Sequence, residues 1–550
     1  MAKRHAGCPI ILLRMSGGAW PTPRRVLRGR PIALLLSAAL AVFPAPPVSA
    51  GSRDLLQAHL EAEPATLDPI LATDVPAFLV QDLLFTPLVA LDRNLAAVPG
   101  LARSWTVSSD SRTFVFELDP TATFDDGAPV TARDVRFTIE RIRDPKVPAV
   151  ARKADFEDLE SVEAVSDRVV RVRFSRPYSE RLIAFHLPIL PEHVFARGDA
   201  AARAYGRRPV GNGSFRFVRW EPARAIVVER RRDAAGRGAI LARVVFRILS
   251  DPGTWVNAAL RGELDEFRVP AQVVERFDRD RRLASRFRLV QVPRLAETTI
   301  VWNCRHAFLG DVRARQALAR AIPRARIIAS LYHGRAREIS GPYPADVIEN
   351  APDVRPLPYS PQRAAALLWK AGWRPNGAAA LEKDGRRASF DLLIPAGQNA
   401  SLQIAQILRG EFERLGIAMG IRALDWPALS ARLDAGEFDA CLSETVFFPP
   451  NLDPYVAFHS SQAPPRGQNT GFYANPAVDR LLESARGASD RERRIALYRE
   501  IHRRLAHDQP NAFLFTIDSL WAVHRDLRGV ETSPLGLSLF HPGRRAWRWK

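Results

Sequence analysis

Apolar and polar residues alternate along several short stretches of the chain, a pattern that predicts half-buried β-strands. The clearest case is residues 104–118, where two alternating runs flank a Ser/Asp turn and so predict a β-hairpin. The other strands predicted in this way lie at residues 55–60, 159–174, 213–220, 225–229 and 242–248.

Apolar residues at a helical spacing predict helices between these strands. Thr131, with Asp134 three residues later, predicts an N-cap for a helix at 135–142, and Gly262 predicts the end of a helix at 254–261. The other predicted helices lie at residues 75–91, 313–335, 361–371, 402–415 and 474–507, the last of them broken into two near residue 487. Helices that alternate with single strands predict α/β lobes with a partly parallel sheet.

The first 50 residues have the pattern of an export signal. Basic residues between Arg24 and Arg30 precede an apolar run at residues 32–43, and the small residues Val48-Ser49-Ala50 follow. This is a charged region, a short hydrophobic region and a cleavage site of the A-x-A kind. We therefore expect residues 1–50 to be a signal peptide, cleaved after Ala50, and the mature chain to be periplasmic.

The composition is that of a globular protein, with 47% hydrophobic and 25% charged residues, but the formal net charge is +19. Residues 1–50 contribute seven positive charges and no acidic residue, which leaves +12 on residues 51–550. Arginines are spread along the whole chain beside acidic residues, as at residues 490–494, and form no basic stripe. We therefore expect no nucleic-acid partner.

Two of the three cysteines, Cys304 and Cys441, lie in separate strand-like runs of the mature chain. No C-x-x-C is present, so neither a zinc knuckle nor a thioredoxin-like site is indicated. In an oxidising compartment the pair could form a disulfide. Two buried free thiols are the alternative, and the sequence leaves both open.

The sequence lacks the common catalytic signatures H-E-x-x-H, G-x-S-x-G and G-x-x-x-x-G-K. The eleven histidines do not cluster. We therefore expect no enzymatic activity, no cofactor and no metal site.

A series of motifs identifies the family that the chain resembles. The strongest are Leu-Ala-Arg-Ser-Trp at 101–105, Phe-Val-Phe-Glu-Leu at 114–118 and Phe-Asp-Asp-Gly-Ala-Pro-Val-Thr-Ala-Arg-Asp-Val at 124–135. Others follow in order, among them Pro-Val-Gly-Asn-Gly-Ser-Phe at 209–215 and Asn-Thr-Gly-Phe-Tyr at 469–473. With this series the chain resembles the family 5 extracellular solute-binding proteins, the peptide- and nickel-binding receptors of ABC importers.

The resemblance implies an α/β protein with the type II periplasmic-binding-protein fold, in which two lobes are joined by a hinge and a third domain is inserted. The hinge would be formed by two chain crossings, near Arg294 and near Phe513. The expected division is lobe I at residues 51–85, 209–290 and 513–550, the inserted domain at 86–208, and lobe II at 291–512.

The resemblance also places a ligand between the lobes, on three loops. The candidate ligand-binding residues on them are Thr73, Asp74, Gln398, Asn399, Glu444, Phe447, Phe448 and Asn451. Peptide-binding members carry an Asp three residues before the Asp-Pro pair of the third loop, where it accepts the ligand's ammonium group. Here the pair is Asp453-Pro454 and that position is Pro450, so the carboxylate is missing unless Glu444 or Asp74 replaces it. This favours a non-peptide or blocked ligand.

Each candidate also has a purely structural interpretation. Phe447 and Phe448 form either an apolar wall for the ligand or part of a strand's core. Gln398 and Asn399 are either hydrogen-bonding contacts or a plain turn. Asp74 is either a ligand contact or a helix cap.

The function that the resemblance implies is that of a monomeric periplasmic receptor. It would bind a small peptide-like or other organic solute and deliver it to the permease subunits of an ABC importer by closing its cleft. The alternatives are a secreted hydrolase and a chaperone-like binder that use the same cleft.

Overall fold

A computed structural model describes residues 54–149, 152–233, 238–269, 274–344, 347–377, 380–446, 452–464, 467–488 and 490–550. The expected signal peptide at residues 1–50 lies outside these ranges, as do Phe447, Phe448 and Asn451.

The first sheet has seven strands and is mixed. Its central strand, Leu55–Leu60, confirms the strand predicted there and runs parallel to Arg243–Ile248 and Glu266–Arg268. The full strand order is Phe287–Val292, Ser519–His524, Glu266–Arg268, Leu55–Leu60, Arg243–Ile248, Ala225–Arg230 and Phe215–Glu221. The helices of this part of the chain are Val75–Leu84, Pro252–Arg261, Val274–Arg279 and Arg281–Arg286.

The second sheet has six strands and its own hydrophobic core around Ile300, Trp302 and Phe390. Its strand order is Ala336–Glu338, Asn511–Ile517, Ala296–Trp302, Ala440–Val446, Ser389–Pro395 and Ala418–Leu424. The helices of this part are Val312–Arg320, Arg324–Tyr332, Pro361–Lys370, Asn399–Glu413, Trp426–Ala435, Tyr455–Phe458, Pro476–Gly487 and Arg491–Asp508. The same stretch of the chain also contains a small antiparallel sheet, which consists of Arg374–Pro375, Leu381–Lys383 and Arg386–Arg387.

A third sheet of four antiparallel strands confirms the predicted hairpin. Its strand order is Ala102–Val107, Thr113–Leu118, Val169–Phe174 and Leu159–Ala164. Helix Ala132–Arg143 begins where predicted, because the Asp134 carboxylate accepts a hydrogen bond of 2.8 Å from the Thr131 amide. The apolar side chains of this sheet share one core with the first sheet. The remaining elements here are the strands Val89–Leu91 and Ala97–Pro99, the helices Glu192–Phe195 and Asp199–Tyr205, and the 3₁₀ turns Lys153–Phe156 and Ser179–Phe185.

Two predicted helices are shorter than the apolar pattern indicates. The helix predicted at 75–91 ends at Leu84, and residues 89–91 form a strand. The helix predicted at 313–335 is two helices, with Pro323 between them as the N-cap of the second. Proline explains both breaks, since Pro87 and Pro323 have no amide hydrogen to continue a helix.

The two cysteines of the described chain are free thiols. Cys441 lies opposite Val301 in the second sheet and is fully buried, and burial raises its pKa to about 12. Cys304 lies just beyond the end of the neighbouring strand and is half-buried. Of the two interpretations that the sequence left open, the structure therefore favours the free thiols.

The chain crosses between the first and second sheets twice. It leaves strand Phe287–Val292 and enters strand Ala296–Trp302 after three residues, around Arg294. It returns at Asp518, between strands Asn511–Ile517 and Ser519–His524. The second crossing therefore lies five residues beyond Phe513, because Phe513 is still paired with Thr299 in the second sheet.

Candidate functional site

The carboxyl ends of four strands in the first sheet lie at one edge. Strands Leu55–Leu60, Arg243–Ile248, Glu266–Arg268 and Phe287–Val292 all run in the same direction, and the first crossing leaves from the end of the last one. The loop that contains Thr73 and Asp74 follows the first of these strands after a further twelve residues. Ligands of α/β proteins bind outside the carboxyl ends of strands, so this edge is a candidate site.

The second sheet presents the equivalent edge to the same crossings. Strands Ser389–Pro395, Ala440–Val446 and Asn511–Ile517 end at the edge where strand Ala296–Trp302 begins. Since crossings of three residues and one residue join the two edges, the edges lie next to each other. The space between them is the candidate cleft.

Asp74 caps a helix in this structure. Its Oδ1 accepts a hydrogen bond of 2.8 Å from the Ala77 amide, and its Oδ2 accepts one of 3.3 Å from the Ala65 amide. Burial raises the pKa of Asp74, and these two amides oppose the rise. Thr73 is half-buried beside it. Both carboxylate oxygens of Asp74 are therefore already used to hold the loop.

Gln398 and Asn399 lie at the cleft edge of the second sheet with exposed side chains. They are not a plain turn, because Gln398 is the N-cap of helix Asn399–Glu413 and Asn399 is its first residue. The Gln398 Oε1 accepts a hydrogen bond of 3.0 Å from the Ser401 hydroxyl. The turn before them uses Gly397 at φ 78°, a conformation that suits glycine.

Glu444 is paired with the chain crossing. It lies on strand Ala440–Val446, and its Oε1 accepts a hydrogen bond of 2.9 Å from Arg294 Nη1. This ion pair ties the first crossing to the second sheet. The loop after the strand carries Phe447, Phe448, Pro450 and Asn451, which lie outside the described residues.

The Asp453 of the Asp-Pro pair has a structural role. Its side chain is fully buried and forms an ion pair with Arg486, whose guanidinium lies 3.7 Å from the centre of the Tyr455 ring. The same guanidinium lies 5.1 Å from the ring centre of Tyr178, which belongs to the part of the chain around the third sheet.

A second ion pair joins that part of the chain to the second sheet's helices. Glu180, next to Tyr178, accepts a hydrogen bond from Arg494 on helix Arg491–Asp508. Both side chains are largely buried. The part of the chain around the third sheet is therefore held to these helices, in a region whose buried side chains include Leu91, Leu295 and Tyr498.

Asp518 holds the second crossing in place. Its carboxylate accepts two hydrogen bonds of 2.9 Å from Arg337 and one of 2.7 Å from the Gln291 amide. Gln291 belongs to the first sheet and Arg337 to the second. Both crossings thus carry an arginine–carboxylate pair.

One residue at the cleft edge was missed by the sequence reasoning. Glu297 is the second residue of strand Ala296–Trp302, and its side chain is 6% exposed. Its Oε2 has no hydrogen-bond partner among the described residues, and burial raises its pKa to about 8. The signal in the sequence was a single acid in the otherwise uncharged run Ala-Glu-Thr-Thr-Ile-Val-Trp.

Within the described ranges, no three His, Cys, Asp or Glu side chains come together in a way that could hold a metal ion. None of the helices described there is long and apolar enough to span a membrane.

Two sheets with converging carboxyl edges, joined by two short crossings, define a two-lobed binding protein, and comparison with known proteins agrees. The family model "Bacterial extracellular solute-binding proteins, family 5 Middle" matches residues 96–465. Protein XP55 of Streptomyces lividans is 28% identical over 485 residues, which cover 86% of this chain and 85% of that protein. The oligopeptide-binding protein AppA of Bacillus subtilis is 27% identical over 497 residues, which cover 86% and 88% of the two chains.

Solved structures show the same fold. The AppA structure in complex with a nonapeptide superposes with a TM-score of 0.69 at 25% identity, covering 90% of this chain and 99% of that one. NikZ from Campylobacter jejuni in complex with Ni(L-His) superposes with a TM-score of 0.70 at 24% identity, covering 90% and 100%. This chain belongs to the family 5 extracellular solute-binding proteins, and its fold is the type II periplasmic-binding-protein fold.

Proposed function

We propose that this chain is the receptor of an ABC importer, which captures a small peptide-like or other organic solute in the periplasm and delivers it to the permease. The observation that carries the proposal is the meeting of two carboxyl strand edges at two short crossings. The relationship to AppA, an oligopeptide-binding protein, supports the substrate class.

The proposed cycle is a hinge motion without covalent chemistry, cofactor or metal. The crossings at residues 293–295 and at Asp518 bend, so that the two carboxyl edges approach each other around the ligand. A ligand stabilises the closed state only by contacts that it makes better there than in the open state. A permease that recognises the closed shape then selects the loaded receptor.

The domain division that we propose keeps four of the five expected boundaries and moves the last. Residues 1–50 are the signal peptide and 86–208 the inserted domain; lobe I comprises 51–85, 209–290 and the C-terminal segment, and lobe II begins at 291. Lobe II extends to residue 517, since strand Asn511–Ile517 is paired along its length within the second sheet.

Gln398 and Asn399 are our proposed contacts from lobe II, because their exposed side chains stand at the cleft edge on a rigid helix start. Thr73 and Asp74 are the proposed contribution of lobe I, with Asp74 acting through the loop that it caps. Glu444 contributes by positioning Arg294.

Small-angle X-ray scattering and native mass spectrometry of residues 51–550 test the proposal together. The protein is first partly unfolded and dialysed to remove any co-purified ligand. We then expect a monomer whose radius of gyration decreases when a peptide digest is added. The mass spectrum should show species with bound components of the digest. A radius that no component of the digest changes would contradict the receptor function. Hydrolysis of the digest would favour the secreted hydrolase, and preferential binding of denatured protein the chaperone-like binder.

A further inference from the structure

Buried carboxylates in the described part of this protein are matched either by an arginine or by backbone amides, and Asp68, Asp134 and Asp265 are of the second kind. The pairs in which the carboxylate side chain is largely buried are Glu266 with Arg544, Glu180 with Arg494, Asp453 with Arg486, Asp518 with Arg337, Glu411 with Arg326, and Asp155 with Arg152. This is expected, because an ionised carboxylate in an apolar environment needs a compensating charge.

Glu297 departs from that rule. Among the described carboxyl groups whose pKa is raised, it is the one for which neither a hydrogen bond nor a nearby arginine opposes the effect of burial. Its Oε2 is buried without a partner. Within the described part of the chain, Glu297 is therefore a buried carboxyl group without a compensating charge, although the sequence contains 79 lysines and arginines.

The position of Glu297 is at the cleft. It lies two residues after the first crossing and pairs with Thr445, the last residue but one of strand Ala440–Val446. Residues that face each other in an antiparallel ladder point to the same side, and so do alternate residues of a strand. Thr445, Thr299 and Ser443 therefore share the face of the sheet with Glu297, as does the apolar Phe513, and no hydroxyl among the described residues donates a hydrogen bond to the buried Oε2.

Two other carboxylates at the cleft edges are already used. Asp74 accepts hydrogen bonds from two amides, and Glu444 is paired with Arg294. A cationic group of a ligand that entered the cleft would pair with Glu297, whose carboxyl group has no cationic partner among the described residues.

We propose that Glu297 binds a protonated amine of the solute, so that the ligands of this receptor are cationic at one end. The inference rests on the proposed receptor function and deepens it. Loss of a proton from Glu297 accompanies binding, and the ligand's charge then compensates the carboxylate in the closed cleft.

The test compares a pronase digest of casein with the same digest after N-acetylation by acetic anhydride, which removes the amine charges. Wild type, Glu297→Gln and the control Glu437→Gln, an exposed residue of the same lobe, are incubated with each digest, and bound species are counted by native mass spectrometry. Glutamine has nearly the same shape, so the fold is kept, and circular dichroism spectra verify this.

We expect wild type and Glu437→Gln to retain components of the free digest but to bind those of the acetylated digest at least tenfold more weakly. Glu297→Gln should lose the preference between the two digests. Equal retention of both digests by wild type, or an unchanged preference in Glu297→Gln, would overturn the role of Glu297 and leave the receptor function standing. Binding of neither digest by wild type would overturn both proposals.

Discussion

Asp518 and Arg337 form two parallel hydrogen bonds of 2.9 Å at the point where the chain returns from the second sheet to the first. The Asp518 side chain is almost completely buried, whereas that of Arg337 is partly exposed. The same carboxylate also accepts a hydrogen bond from Gln291 of the first sheet. A single buried charge therefore links both sheets at the hinge.

Replacement of Asp518 by Asn should destabilise the hinge. The amide keeps the shape but loses the charge that Arg337 and Gln291 bind, and we expect the free energy of unfolding to fall by about 2 kcal/mol, since Arg337 is partly solvated. Urea titration followed by tryptophan fluorescence measures the change. Asp384→Asn, at an exposed turn, is the control and should change stability by less than about 0.5 kcal/mol. A change in Asp518→Asn as small as that of the control would contradict the hinge role.

The bridge between Glu180 and Arg494 should shift the balance between open and closed states. In Glu180→Gln the ion pair that holds the inserted part of the chain to helix Arg491–Asp508 is lost, so we expect a larger radius of gyration without ligand and roughly fivefold weaker ligand binding, which corresponds to about 1 kcal/mol. Scattering and calorimetric titration measure the two effects. Glu160→Gln, an exposed residue of the third sheet, is the matched control. Binding that is as tight in Glu180→Gln as in the control would exclude a bridging role.

The pair of Glu266 and Arg544 is the most deeply buried ion pair described, with both side chains at 1% exposure or less. Arg544→Met leaves the Glu266 carboxylate buried without its cation, and we expect a loss of about 3–5 kcal/mol. Thermal and urea unfolding measure it. Arg548→Met, four residues on and exposed, should change little. Comparable stability of the two variants would show that Glu266 is neutral in the folded protein.

Glu297 should make the free energy of unfolding depend on pH. Burial raises its pKa to about 8 in the folded state, above the ordinary value of 4.5. The folded protein therefore holds this proton more tightly, and the free energy of unfolding falls as pH rises from 4.5 to about 8, by about 1.4 kcal/mol per pH unit.

Glu297→Gln removes that contribution. Between pH 5.5 and pH 8 the stability of wild type should decrease by roughly 3 kcal/mol more than that of Glu297→Gln. Urea midpoints at both pH values measure the difference, and Glu437→Gln should behave as wild type. Parallel pH curves for wild type and Glu297→Gln would show that the carboxyl is not buried in solution.

Both thiols should be free, and Cys441 should be unreactive in the native protein. We expect residues 51–550 to react with two equivalents of Ellman's reagent in 6 M guanidinium chloride, because Cys304 and Cys441 are free. In the native protein Cys441 should not react, since it is fully buried with a pKa of about 12. A reagent count that rises only after reduction would reveal a disulfide instead.

Local sequence patterns predicted the elements whose signals are local. The hairpin around Ser108–Asp110, the capping of helix Ala132–Arg143 and the helix end at Gly262 all depend on residues within a few positions of one another. The helix predicted at 75–91 was too long because its apolar spacing continues past Pro87, where the backbone cannot remain helical.

The electrostatics of the cleft could not be predicted in this way. The partner of Glu444 is Arg294, 150 residues earlier, and that of Asp518 is Arg337, 181 residues earlier. Such pairs depend on which strands the fold brings together. No periodic pattern in the sequence indicates which strands these are. The family motifs supplied the fold, while the absence of a free carboxylate at Asp74 and Glu444 emerged only from their contacts.

Strand Ser519–His524 lies between Phe287–Val292 and Glu266–Arg268, so the first sheet is completed by a strand near the end of the chain. A nascent chain that ends before residue 519 has a gap inside that sheet and cannot form lobe I. Pairings over more than 200 residues also form slowly. The first sheet is therefore completed only after residues 519–524 have been synthesised, later than the second sheet, whose last strand ends at Ile517.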